Sequence, residues 1–242
     1  MDLALAAELQ AALLPRECPL DCPHQVAAAR NRMCGSIGGD FHDFIRLNED
    51  QVALVIGDVV GHGVRSSLIM AQIAGFLRFA DERRSRPCQI ITALNRMLID
   101  LGDRTGLVTP CSMIYGVIDA PTGMAILVNA GHPRPILCDR GAGTVSDLHP
   151  HNFILGVEEF EPEEVCLTFQ PGQRLVLYTD GITDATNPKR ELFGEERLHQ
   201  LVRRHLAASP ADCADAVFQA VAEHRSGGRQ IDDETIVVMD RI

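Results

Sequence analysis

The sequence has no tryptophan and few aromatic residues, 5% in all, so a platform on which bases or sugars could stack is poorly supplied. Positive charge is short as well: 22 Lys and Arg against 33 Asp and Glu leave a formal charge of −11, which argues against a surface for nucleic acid. No apolar run approaches the roughly 20 residues that cross a bilayer. Met1 to Pro15 carries Asp2 and Glu8 but no basic segment, so an ordinary signal peptide is not expected. Neither membrane nor nucleic acid is therefore an expected partner, and the expected location is cytoplasmic. What is present is ordinary globular usage, 46% hydrophobic and 23% charged residues in a chain of 242, enough to bury a core. There is no Pro/Gly/Ser-rich linker, no fixed repeat and no low-complexity run, which points to a single domain behind a short N-terminal helix.

Eight cysteines are scattered, several inside apolar runs such as Ile136-Leu137-Cys138 and Val165-Cys166-Leu167, and read as reduced core thiols. Cys18, Cys22 and His24 have the spacing of half a zinc site, but no second half follows, and ordinary packing is the better reading.

Leu3, Ala6, Leu9 (or Gln10) and Leu13 recur at helical spacing before Pro15, predicting a helix over 2–14 whose apolar face needs a cover. Strand-like segments at 25–33, 41–47 and 51–59 are separated by turn compositions and predict an antiparallel meander. Helical periodicity follows at 64–84 and 88–101, broken at Arg86-Pro87. A strand-rich block then runs over 108–179, followed by helices near 194–206 and 210–225 and a final strand over 235–239. Ser209-Pro210 opens the last helix with serine at the N-cap and proline at N1. Helix pairs between blocks of antiparallel strands predict the α+β class, a sandwich of two sheets with helix pairs outside.

The informative feature is where the aspartates fall. Val52 to Gly57 ends in Asp58, Arg174 to Thr179 ends in Asp180, Asp232-Asp233 leads into Thr235 to Met239, and Gly38-Gly39 leads into Asp40. One such acid is usually a turn or cap residue. Four at strand mouths are different, because carboxylates gathered at one sheet end repel unless a cation sits among them. Oxygen-only donors select hard ions, Mg²⁺ or Mn²⁺ rather than zinc. Two such ions bridged by a water provide a nucleophile and stabilise phosphoryl charge, which is the chemistry of phosphate-ester hydrolysis.

The blocks Gly38-Gly39-Asp40-Phe41-His42-Asp43-Phe44, Gly57-Asp58-Val59-Val60-Gly61-His62-Gly63, Asn129-Ala130-Gly131-His132-Pro133, Leu177 to Ala185 and Asp232-Asp233-Glu234-Thr235 occur in one order over about residues 5 to 242. Together they resemble the SpoIIE/RsbU branch of the PPM (protein phosphatase 2C-like) phosphatases. His42 and Val60 depart from that branch's common Tyr and Ser without touching a proposed ligand. The resemblance implies an α-β-β-α sandwich, with residues 1–15 a linker or regulatory helix and 16–242 the phosphatase domain. It also implies two Mn²⁺ or Mg²⁺ ions and hydrolysis of phosphoserine or phosphothreonine on a protein. By that resemblance Asp58 is the bridging ligand with the carbonyl of Val59 beside it, and Asp180 and Asp232 are ligands essential to catalysis. Asp40 binds directly or through water, and Asp233 is either a ligand or a support for one. The implied substrate is a phosphorylated regulatory protein such as an anti-sigma factor antagonist in a partner-switching pathway, with an upstream sensor or receiver domain and a homodimer as further possible partners.

Other residues carry weaker signals. His62 between two glycines reads as a turn residue before it reads as a general acid. Asn129 and His132 either orient a ligand or hold their turn, and Arg30 and Arg65 are candidates for gripping phosphate. Gly38-Gly39-Asp40-Phe41 also looks like the signature of diguanylate cyclases, but lacks the Glu that should follow. The alternative to an enzyme is a catalytically weak, phosphatase-like module that binds a phosphoprotein, disfavoured because every proposed metal aspartate is present. A nucleotide phosphodiesterase is disfavoured by the missing aromatics and the negative charge.

Overall fold

The computed structural model describes residues 2–15, 24–80, 82–149 and 151–242. Ten strands form two five-stranded antiparallel sheets. The first runs in the order β1 (Gln25–Arg32), β10 (Glu234–Arg241), β9 (Gln173–Tyr178), β6 (Ile136–Asp139), β7 (Thr144–Asp147). The second runs β2 (Phe41–Arg46), β3 (Gln51–Val59), β4 (Cys111–Asp119), β5 (Met124–Ala130), β8 (Val165–Thr168).

Three apolar layers account for the stacking. Val52, Leu54 and Ile56 of β3 and Val237 and Met239 of β10 meet between the sheets. The alternate residues Ala53 and Val55 face outward onto helices α2 (Val64–Phe79) and α3 (Pro87–Thr105), where Met70, Ile73, Leu94 and Leu98 cover them. Ile236 and Val238 face outward on the other side, under α5 (Gly194–Arg204) and α6 (Pro210–Arg225). Both faces of the central strands are thus dry, which is why they read as continuous apolar runs rather than alternating ones. This is the expected α-β-β-α sandwich.

Several expectations need correction. The 25–59 segment is not a meander: β1 pairs along its whole length with β10, from Gln25↔Arg241 to Arg32↔Glu234, while only β2 and β3 form a hairpin. The glycine-rich residues between β1 and β2 carry the chain from one sheet to the other. Helix α2 stops at Phe79, and a separate 3₁₀ turn spans Glu82–Ser85. Cys111, Cys138 and Cys213 are buried as expected, but Cys166 is exposed because β8 is a sheet edge. Cys18 and Cys22 lie outside the described residues.

The leucine face of α1 (Asp2–Leu13) does not pack as its periodicity suggested. Leu3, Leu5 and Leu9 are exposed, and the buried residue is Gln10. Its amide brackets one residue of the crossover: Gln10 Nε2 donates to the Gly38 carbonyl at 2.8 Å and the Gly38 N–H donates back to Oε1 at 3.1 Å. The end of the helix is pinned by His42, whose Nε2 donates to the Pro15 carbonyl at 2.6 Å. A carbonyl only accepts, so Nε2 carries the proton. Burial holds this imidazole down at about 4, against the pull of that carbonyl, and it is neutral at pH 7.

Candidate active site

The acidic residues gather where both sheets end on the same side of the sandwich, graded by depth. Asp40 lies at the bottom, 1% exposed, just before β2. Asp58, near the end of β3 opposite Ser112, is half-buried. Asp180, which opens the four-residue helix α4 (Asp180–Thr183), and Asp232, just before β10, are at the rim. Two of these come from one sheet and two from the other.

Each is held by identifiable neighbours. Asp40 Oδ2 accepts hydrogen bonds from Thr179 Oγ1 at 2.8 Å and Thr235 Oγ1 at 2.5 Å, so β9 and β10 of one sheet grip an acid leading into the other. Asp233 accepts from the backbone N–H of Cys34 at 2.7 Å and of Gly39 at 2.8 Å, fastening the crossover loop. Glycine is required there: a Cβ at Gly38 would fall 1.8 Å from Asp233 Oδ2, and one at Gly39 would fall 2.4 Å from the Val59 carbonyl oxygen. That carbonyl therefore faces the loop beside Asp58.

The electrostatics follow from this crowding. Burial, then the charges of Asp180, Asp232 and Asp233, push the Asp58 carboxyl up to about 7, against a hydrogen bond with Asp40. Asp40 is raised well above the carboxylate range by burial and then by Asp58. Burial and Asp232 raise Asp180, and burial with Asp233 and Asp184 raises Asp232, where His62 acts in the opposite direction. Among the described residues no three His, Cys, Asp or Glu side chains already stand in a metal-holding arrangement. The donor chemistry nevertheless suits a hard divalent cation, being oxygen only and self-repelling, so that a dication relieves the repulsion that proton sharing relieves without it.

The family model described as Stage II sporulation protein E (SpoIIE) matches residues 48–242, most of the chain and most of these acids. The chain belongs to the SpoIIE family. It is similar to protein IcfG of Synechocystis sp., 28% identical over 234 residues that cover 85% of the chain and 36% of IcfG. It is also similar to phosphoserine phosphatase RsbP of Bacillus subtilis, 27% identical over 206 residues that cover 84% of the chain and 49% of RsbP. The chain thus spans about a third and about half of these two relatives. Among solved structures, the PP2C domain of SiaA from Pseudomonas aeruginosa superposes with a TM-score of 0.85 at 22% identity, covering all of this chain and 96% of that one. The shared fold is that of the PPM phosphatases.

Within this SpoIIE-family site, Gly61 and Gly63 have φ of 102° and 84°, so the Gly-His-Gly segment is a turn only glycine makes easily, and it leaves His62 exposed beside Asp232. Asn129 closes its own turn, donating to the His132 carbonyl at 2.9 Å and accepting from the His132 N–H at 2.8 Å. His132 is buried with Nδ1 at 2.7 Å from the Ser112 hydroxyl, and burial holds its imidazole down at about 3. Arg30 is not at the site; it pairs with Asp215 of α6 at 2.6 Å. Arg65 donates to the Val108 carbonyl at 2.7 Å.

Sequence reasoning gave no role at the site to Thr179, Thr235, Asp184 or Gln10, although each lies in a segment it singled out. Asp184 adds its charge to both rim acids, and its position one helical turn after Asp180 was the available signal.

Proposed function

We propose that this chain is a metal-dependent protein serine/threonine phosphatase, taking two Mn²⁺ or Mg²⁺ ions and acting on phosphoserine or phosphothreonine of a regulatory protein. The observation that carries the reading is the convergence of Asp40, Asp58, Asp180 and Asp232 from two sheets, where burial and then the charges of Asp180, Asp232 and Asp233 push Asp58 up to about 7. Asp58, Asp180 and Asp232 would hold the ions with the carbonyl of Val59. Asp40, gripped by Thr179 and Thr235, would stand behind Asp58 as a ligand, directly or through water. Both oxygens of Asp233 are engaged by backbone N–H groups, which favours its bracing the Gly38–Asp40 loop over direct ligation. When bound, the ions supply an activated water and neutralise charge on the phosphoryl group. The protein's part is to orient the oxygen donors and keep the bottom of the site dry.

An anti-sigma factor antagonist is the substrate we propose, in keeping with the SpoIIE/RsbU resemblance and with the phosphoserine in the name of RsbP. Residues 1–15 would form a regulatory helix that joins an upstream sensor or receiver domain, or a second copy of the chain, to the site. A phosphoprotein-binding module without turnover is the rival, and the complete set of acids speaks against it.

Hydrolysis of p-nitrophenyl phosphate is the direct test. Turnover with Mn²⁺ or Mg²⁺ and none in EDTA is expected; binding of a phosphoprotein without turnover under any cation would support the rival.

A further inference from the structure

Beside the carboxylates lies a hollow of about 330 Å³ whose walls are largely apolar: Leu3 of α1, Ile37 of the crossover loop, Val64 at the start of α2, and Ile231. Leu3, Val64 and Ile231 are 48%, 57% and 62% exposed, so the hollow has no cover of its own. It opens against the site through the chain itself. Ile231 immediately precedes Asp232, and the turn holding His62 follows Asp58 within a few residues. Cys34, also in its wall, donates its N–H to Asp233. Consecutive residues are about 3.8 Å apart, so a hollow walled by residues that adjoin the acids in sequence lies within reach of a residue next to the phosphoserine.

One cation lines it. Arg229 is exposed and makes no ion pair with another described residue, in a chain of charge −11. The volume is at the low end for a ligand pocket, suited to one or two side chains rather than to a folded surface.

We propose that this hollow is a specificity pocket for the substrate segment, taking an apolar side chain adjacent to the phosphoserine while Arg229 pairs with a carboxylate in the same segment. The inference rests on the phosphatase reading above. It gives the first turn of α1 a direct part in substrate choice, because Leu3 is one wall of the pocket.

The test is kcat/KM, with Mn²⁺ present, for phosphoserine peptides carrying Leu or Gly immediately before or after the phosphoserine, and Glu or Gln nearby. The full chain should prefer Leu by about tenfold, the scale of one well-buried apolar contact. Ile231→Ser and Leu3→Ser should each reduce that preference to near twofold, and Arg229→Ala should remove the preference for Glu over Gln. Equal kcat/KM for the Leu and Gly peptides, or a Leu preference that survives both serine variants, overturns the pocket while p-nitrophenyl phosphate is still hydrolysed. If no phosphomonoester is hydrolysed with either cation, the phosphatase reading fails and the pocket with it.

Discussion

Asp58 carries a carboxyl pushed up to about 7 by burial and by the neighbouring acids. Replacing it, or Asp180, by Ala should lower Mn²⁺-dependent turnover by on the order of a hundredfold or more while circular dichroism stays native, since each removes a proposed ligand that otherwise suffers repulsion. Near wild-type turnover in either variant would sink the assignment. The raised carboxyl also has a sign in stability. Without metal, folded Asp58 keeps its proton up to about 7, whereas an unfolded Asp loses it near ~4. Its contribution to stability is therefore complete below about pH 4 and is lost as pH rises through about 7. Asp58→Asn has no such loss, so in EDTA its melting temperature should match wild type near pH ~4 and exceed it by roughly a few degrees near pH ~8. A gap that does not widen with pH would show that Asp58 is not held protonated. For His62→Ala, little change in kcat on an aryl phosphate is expected, because that leaving group needs no proton; a thousandfold loss, ~10³, would make it catalytic. Gly39→Ala must push against the Val59 carbonyl and should cost about 1–3 kcal/mol in urea unfolding.

Among the elements, those dry on both faces were easiest to read. The apolar runs of β3, β9 and β10 announced themselves, and the Ser209 cap of α6, which accepts from the Asp212 N–H at 3.1 Å, marked that helix to the residue. Partners were harder. Periodicity says which stripe of α1 is apolar but not which stripe finds a neighbour, and the polar Gln10 won because Gly38 offers both a donor and an acceptor. The pairing of β1 with β10 was illegible for a related reason: no local pattern tells a turn from a crossover between sheets. The acids of the site were visible because strand mouths are visible, whereas Thr179 and Thr235 acquire meaning only once the sheets are stacked. Gln10→Leu should leave Gly38 unpaired at a cost of about 1–3 kcal/mol and reduce Mn²⁺-dependent turnover through the loop that carries Asp40. Deleting residues 1–14 should alter specific activity or oligomeric state without unfolding the domain. If turnover and light scattering are both unchanged, α1 has no regulatory part.

For the whole molecule, no helix among the described residues is long and apolar enough to cross a membrane. The sandwich buries its core in three layers and keeps its chemistry at one end of them. The acids share no strand: Asp40 and Asp58 travel with the second sheet, Asp180 and Asp232 with the first. Two threonine hydroxyls on one Asp40 oxygen, together with Asp233 on the Gly39 N–H, stitch across that seam. Activity is thus a gauge of alignment between two stacked plates. A slip of one plate over the other by about 1 Å would misplace the acids while every ladder and helix stayed intact. In mild urea the protein should fall silent well before its circular dichroism changes, and a bound partner could silence or awaken it by shear alone, with no strand unzipped and no loop displaced.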